Sequence, residues 1–246
     1  MDTEPLEALP EDWNRALCIV AHPDDMEFGA AAAVARWTAQ GKDVAYCMVS
    51  SGEAGIDGMS PEECRQVREA EQITSAGIVG VHVVEFLGFA DGIIEYGVPL
   101  RREVAGVVRR HRPDIVVTGN FSESWGGRNL NQPDHIAVGR AVLDGVRDAG
   151  NRWVFPEQLD GDLEPWGGVK AVWAFGSPQA THAVDITDTF DSGVASLEAH
   201  AAYIDGLGWE NWNPREFLEG FARQSGQRLG VAFAAPFEVF PLGWGE

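Results

Sequence analysis

The chain has 246 residues, with 45% hydrophobic, 23% charged and 10% aromatic side chains, which is the composition of a folded globular protein. Its net charge of −20, from 38 acidic and 18 basic residues, repels phosphate backbones and anionic lipid, so nucleic acid and membrane are not expected partners. No stretch approaches the roughly 20 apolar residues that span a bilayer.

The opening segment MDTEPLEALPEDW is acidic and contains proline. It lacks the basic start and apolar core of a secretory signal, and a cytoplasmic location is expected. Residues 15–21 form a short apolar run without helical period, which reads as a buried strand. The turn His22-Pro23-Asp24-Asp25 comes next, and the alanine-rich stretch from Phe28 to Gln40, closed by Gly41, predicts a helix. Residues 43–49 predict a second strand, ending in a polar, glycine-containing loop. Ser60-Pro61-Glu62-Glu63 is a capping box with proline at the first helical position, so a helix runs from there to about Ala76.

A third strand is predicted at 82–87, a helix from Pro99 to Arg112, a fourth strand from Asp114 to Thr118 and a helix from Pro133 to about Asp148. Strands alternating with helices predict an α/β fold with a parallel sheet and right-handed crossovers over the first 150 residues. Beyond residue 150 the pattern is less regular, with strands at 169–175 and 231–240 and helices near 189–204 and 214–225. No linker, repeat or low-complexity segment interrupts the chain. A single domain over 1–246 is expected, with 151–246 packed on the 1–150 core and shaping one side of a pocket. Cys18, Cys47 and Cys64 are too widely spaced for a thiolate metal site and read as buried free thiols.

In an open parallel sheet the ligand lies beyond the carboxyl ends of the strands. The walls of such a cleft would come from loops 52–60, 88–98, 120–132 and 155–168. No glycine-rich nucleotide fingerprint comes after the first strand. That strand leads instead into His22-x-x-Asp25, two side chains that can converge on one point from a turn stiffened by Pro23. Hydrolytic zinc takes three His or carboxylate ligands and keeps a position for water. His135, entering the helix after the fourth strand, is the candidate third ligand, and Asp134 could hold an imidazole in place. Asp24 lies where it can take a proton from activated water. Adjacent aspartates after a strand also serve as plain turn and N-cap residues, and the spacing by itself leaves that reading open.

Ile19-Val20-Ala21-His22-Pro23-Asp24-Asp25-Met26-Glu27-Phe28-Gly29 resembles the signature of the LmbE-like, PIG-L family of zinc de-N-acetylases, and Pro133-Asp134-His135-Ile136-Ala137-Val138-Gly139 resembles its second metal motif. Ser51-Gly52-Glu53, Arg68-x-x-Glu71 and Leu87-Gly88-x-x-Asp91-Gly92 fall in the family's order, and Val184-Asp185-Ile186-Thr187 and Glu198-x-His200 resemble its C-terminal half more loosely. The resemblance implies a Rossmann-like open, mostly parallel sheet with helices on both faces. It also implies hydrolysis of an N-acyl group, most often N-acetyl on a glucosamine unit, with one Zn2+ per chain.

Carried over by position, His22, Asp25 and His135 are the zinc ligands, Asp24 is the general base, and Arg68 and Asp91 hold substrate hydroxyls. A His-His-carboxylate set also suits ferrous iron, and zinc is preferred by the resemblance. One position departs from the pattern. Many members have His-Pro-Asp-His, where the first histidine steadies the oxyanion or donates a proton, and this chain has Gln132. Glutamine donates a hydrogen bond but transfers no proton at neutral pH. The expected partner is a small N-acylated molecule, and a homo-oligomer is left open. An amidase on a thiol conjugate or acylated natural product, and a non-catalytic metal-binding homologue, are the alternatives. A metal phosphoesterase is disfavoured by the sparse Lys and Arg near the motifs. Trp125, Trp166, Trp209 and Trp212 are candidates for stacking on a sugar ring, and Arg128 for reaching the cleft.

Overall fold

The computed structural model describes residues 4–161, 163–209 and 211–243. In chain order the elements are β1 (Glu7–Ala8), β2 (Arg15–Val20), α1 (Asp25–Gly29), α2 (Ala31–Ala39), β3 (Asp43–Ser50), α3 (Pro61–Ile78), β4 (Val83–Phe89), α4 (Val98–His111), β5 (Ile115–Gly119) and α5 (Pro133–Ala149). A single 3-10 turn (Pro156–Leu159) precedes β6 (Ala171–Phe175), β7 (His182–Asp185), α6 (Phe190–Glu198), α7 (Ala201–Gly206), α8 (Pro214–Leu229) and β8 (Ala234–Pro241).

The strands form one sheet in the order β1-β7-β8-β6-β5-β2-β3-β4. Pairing is parallel from β5 through β2 and β3 to β4, as the alternating pattern predicts; β6 adds in parallel beside β5, and β8 runs antiparallel to both β6 and β7. Burial on both faces explains the uninterrupted apolar runs of the central strands. Along β2, Ala16, Cys18 and Val20 join one core with Trp37, Tyr46, Trp173 and Phe237. Leu17 and Ile19 point the other way, into a core built with Leu100, Val104 and Val108 of α4 and Val138 and Val142 of α5. Helices therefore cover both faces. The residues beyond 150 do more than pack on this core, because β6, β8 and β7 continue the sheet itself.

The helix expected from Phe28 begins earlier, at Asp25, and is broken at Ala30, whose φ of −129° leaves the helical region. Sequence propensity alone gives a continuous alanine-rich helix, but contact with the sheet overrides it. Gly29 lies against the Phe175 ring at the end of β6, so close that a Cβ there would run into the ring. Ser60 caps α3 as its capping box predicts, its hydroxyl accepting from the Glu63 N–H at 3.4 Å. The short strands β1 and β7 have no counterpart among the expected elements, and the helix expected over 189–204 is divided at Ala199-His200.

The topology has one reversal that matters. From β2 the chain adds β3 and then β4 to one side, whereas β5 and β6 lie on the other. The carboxyl ends of β2 and β5 thus flank the switch point at which open α/β sheets bind ligands. We expect Gly29→Ala to lower unfolding free energy by about 1–3 kcal/mol through overpacking against the buried Phe175 ring. Urea denaturation measures this directly, with unchanged stability as the contrary result.

Candidate active site

The segment after β2 and the segment entering α5 meet at the switch point. The His22 and His135 ring centroids are 5.1 Å apart. Asp25, opening α1, places Oδ1 3.0 Å from His135 Nε2, and its Oδ2 accepts the backbone N–H of His22 at 2.9 Å. One donor atom from each of His22, Asp25 and His135 lies within 4.8 Å of the others, a spacing that suits a shared ion. A second such group is His22 with Asp91 and Asp134, so His22 belongs to both.

These side chains are held from behind. His135 Nδ1 is 2.9 Å from Asn131 Oδ1, and the Asn131 amide donates to the carbonyls of Asn120 and Ser122 at 2.7 and 3.0 Å. Because the Asn131 amide nitrogen is used this way, its oxygen faces the imidazole and leaves Nε2 of His135 for the cluster. His22 Nε2 lies 3.1 Å from Asp91 Oδ1 and 3.3 Å from Asp134 Oδ2. Asp134 is buried and also accepts the N–H groups of Gly92 (2.7 Å) and Ile94 (3.1 Å), which ties the loop after β4 to α5. Asp91 accepts the Ala54 N–H at 2.8 Å.

Asp24 occupies the left-handed region with φ of 87° and is buried. Its carbonyl accepts the Glu27 and Phe28 N–H groups at 2.9 and 3.1 Å, starting α1. Its Oδ2 accepts from Arg68 Nη2 at 2.7 Å, while other Arg68 contacts run to the carbonyls of Pro23 (2.5 Å) and Gly52 (3.0 Å). Arg68 is 2% exposed, and the Tyr203 ring covers its guanidinium at 4.0 Å. A substrate contact from Arg68 would have to be made alongside these protein partners. Asp91 is likewise already engaged, with His22. Gln132 stands exposed at the N-terminus of α5.

The charges are distributed unequally. Burial raises the Asp24 carboxyl to about 6, with Arg68 pulling it down and the Asp25 charge pushing it up. Burial would raise Asp25 as well, but His135 and His22 hold it far below the usual carboxylate range. For His22, burial disfavours the imidazolium, yet Asp25, Asp134 and Asp91 raise it well above an ordinary histidine. Two neighbouring carboxylates are thus driven apart, one poised to accept a proton near neutrality and the other fixed as an anion.

Several expectations about the walls change. The 155–168 loop lies at the other end of the sheet: Gln158 accepts from Arg109 of α4, and the Trp166 indole donates to the Pro113 carbonyl ahead of β5. Asp162 within it falls outside the described residues. From the C-terminal part, Gly176, where a Cβ would meet the Trp125 ring at 2.9 Å, packs on the 120–132 loop, and Gly206 packs on Ile56 of the 52–60 loop. Trp125 stands edge-on to His135 with centroids 5.7 Å apart. Trp212 pairs with Phe28 at 6.0 Å and with Trp209 at 5.4 Å. Arg128 is exposed. His200 is fully buried, its Nε2 3.6 Å from Glu27 Oε2. Asn131, Gln72 and Tyr203 are parts of the site that the motifs do not reveal. Gln72 and Ser75 are detectable as polar residues on the inward stripe of α3, at i+4 and i+7 from Arg68.

Residues 17–146 match the PIG-L family, described as GlcNAc-PI de-N-acetylase. A diacetylchitobiose deacetylase from Thermococcus kodakarensis is 29% identical over 232 residues, covering 94% of this chain and 84% of that one. A mycothiol S-conjugate amidase from Streptomyces coelicolor is 27% identical over 170 residues, 59% of this chain and 56% of its own length. Among solved structures, N,N'-diacetylchitobiose deacetylase from Pyrococcus horikoshii in complex with an inhibitor has a TM-score of 0.85 at 24% identity. That match covers 94% of this chain and 85% of that one, and it shows a shared fold.

Replacing Asp134 by Ala strands the Gly92 and Ile94 N–H groups and removes one partner of His22. We expect a loss of about 2–4 kcal/mol in chemical denaturation of the metal-free protein. A loss below about 0.5 kcal/mol would show that these bonds do not hold the site together.

Proposed function

Because the chain belongs to the PIG-L family of de-N-acetylases, we propose that it is a zinc-dependent hydrolase that removes an N-acyl group, in the simplest case N-acetyl, from an amino sugar or amino-sugar conjugate. The convergence of His22, Asp25 and His135 on one point, with Asp24 buried beside them, is the observation that carries this reading. Two imidazoles and one carboxylate fit a hydrolytic zinc site, and the Asn131 contact on Nδ1 turns His135 Nε2 toward Asp25 and the proposed metal position. A bound zinc ion would supply a Lewis acid for the amide carbonyl and make water acidic enough to attack near neutral pH.

Asp24 does the proton work. Arg68 holds its Oδ2, and a carboxyl near 6 is matched at neutral pH to taking the proton of the attacking water. Water oxygen adds to the amide carbon, the C–N bond breaks, and Asp24 returns the proton to the departing amine. The products are the free carboxylate and the amino compound. Gln132, exposed at the start of α5, can donate a hydrogen bond to the carbonyl oxygen but cannot supply the proton. Asp91 and Gln132 are the residues assigned to substrate contact, with Arg68 contributing from beneath Asp24.

The similarity to a mycothiol S-conjugate amidase supports a second reading, in which the same machinery cleaves an amide in a thiol conjugate. The cleft walls, and not the proton chemistry, would separate the two. Amine release from N-acetylated sugars and from thiol-conjugate amides distinguishes them. Release from neither panel by zinc-loaded protein would favour a non-catalytic homologue.

Asp24→Asn should retain one zinc per chain and lose roughly 10²–10⁴-fold in kcat, whereas His135→Ala should lose the metal. Zinc analysis with initial rates on the best substrate checks both. A near-normal rate for Asp24→Asn would remove Asp24 from the role of base.

A further inference from the structure

Gln72 lies one helical turn beyond Arg68 on the inward face of α3 and is fully buried. Its Oε1 accepts the backbone N–H of Asp24 at 2.9 Å, and its Nε2 donates to Glu27 Oε1 at 3.0 Å. The orientation of the amide is forced, because a backbone N–H only donates and the Glu27 oxygen also takes the Ser75 hydroxyl at 2.7 Å. The Asp24 N–H is buried, and without Gln72 it would lose this partner. Asp24 also holds a left-handed φ that is unfavourable for a residue with a Cβ.

We infer that Gln72 is a positioning residue for the reaction: it anchors the main chain of Asp24 in the left-handed turn, as Arg68 anchors its carboxylate, and through Glu27 it ties that turn to the buried face of the helices. Asp24 is then clamped at both ends by adjacent turns of one helix. The carboxylate of Arg68's partner can be aimed only if the backbone below it does not relax. Glu27 serves as the far post of the clamp. It receives Ser75 from α3, Ser75 meets Ser196 of α6 at 2.7 Å, and His200 at the head of α7 faces the other Glu27 oxygen. The inference rests on the assignment of Asp24 as base, but its first test is independent of turnover.

That test is amide hydrogen exchange at Asp24 in metal-free protein. Gln72→Met keeps the volume and removes both hydrogen bonds, and exchange at Asp24 should accelerate about tenfold or more. In the zinc-loaded enzyme the same variant should keep its zinc and its KM, with kcat per zinc-loaded site lower by about 10–100-fold. The exchanged pair Gln72→Glu with Glu27→Gln restores an acceptor for Asp24 and a donor between the two side chains. It should recover at least tenfold of the lost kcat and re-protect the Asp24 amide. Should Gln72→Met fail to fold, the exchanged pair carries the decision alone, by whether Asp24 is protected as in the parent. Unchanged exchange in Gln72→Met, or an exchanged pair that folds with Asp24 unprotected, overturns the inference. If the parent protein hydrolyses no amide while the exchange results hold, the functional proposal fails and the clamp stands.

Discussion

Asp24 and Asp25 are neighbouring carboxylates withdrawn from water, and the turn that carries them gives each its own set of partners. Arg68 supplies one and the imidazoles of His22 and His135 supply the other. Left alone, two such carboxylates would repel and one would protonate. Here the left-handed backbone of Asp24 turns consecutive side chains into different surroundings. Asp24 goes down toward α3, and Asp25 goes across toward α5. The two carboxyls thereby differ in acidity, as the proposed division between base and metal ligand requires.

The rest of the fold supports that division. Parallel strands bring the ends of β2 and β5 together at the reversal of strand order, which sets the His22 turn opposite the start of α5. Asp134 binds the loop after β4 to this point through two backbone N–H groups, and Asn131 binds the 120–132 loop to His135. Gly29 lets α1 approach the end of β6, where a Cβ would run into the Phe175 ring. The C-terminal third extends the sheet through β6 to β8 and returns α7 over Arg68, so residues distant in sequence close the site from above. The segments near Gly176 and Gly206 pack on the 120–132 and 52–60 loops, whereas 155–168 braces α4 and α5 at the far end.

Legibility in the sequence depends on the physics behind each signal. Central strands are legible because burial on both faces demands apolar runs, and α3 is legible because Ser60, Pro61 and Glu63 each satisfy a helix-start requirement. β7 is not, since His182–Asp185 is four residues long and is defined by its antiparallel partner β8. The break at Ala30 falls beside the contact of Gly29 with the Phe175 ring, far along the chain, and no local propensity encodes it. Within the site, the two motifs name the residues that meet, because a strand-end turn and a helix start are local structures. The partners of Arg68 and Asp91 are not legible, since a long-range ion pair leaves no spacing to recognise. Gln72 leaves a faint trace, as an uncharged polar residue where the amphipathic period of α3 calls for an apolar one.

His22 is shared by two groups of potential ligands, and the proposed metal site is the one with Asp25 and His135, not the one with Asp91 and Asp134. Anomalous diffraction at the zinc absorption edge, from crystals of protein supplied with one equivalent of zinc, decides between them. A single strong peak bounded by His22, Asp25 and His135 is the predicted result. A peak enclosed by His22, Asp91 and Asp134, or no peak at either group, would contradict it.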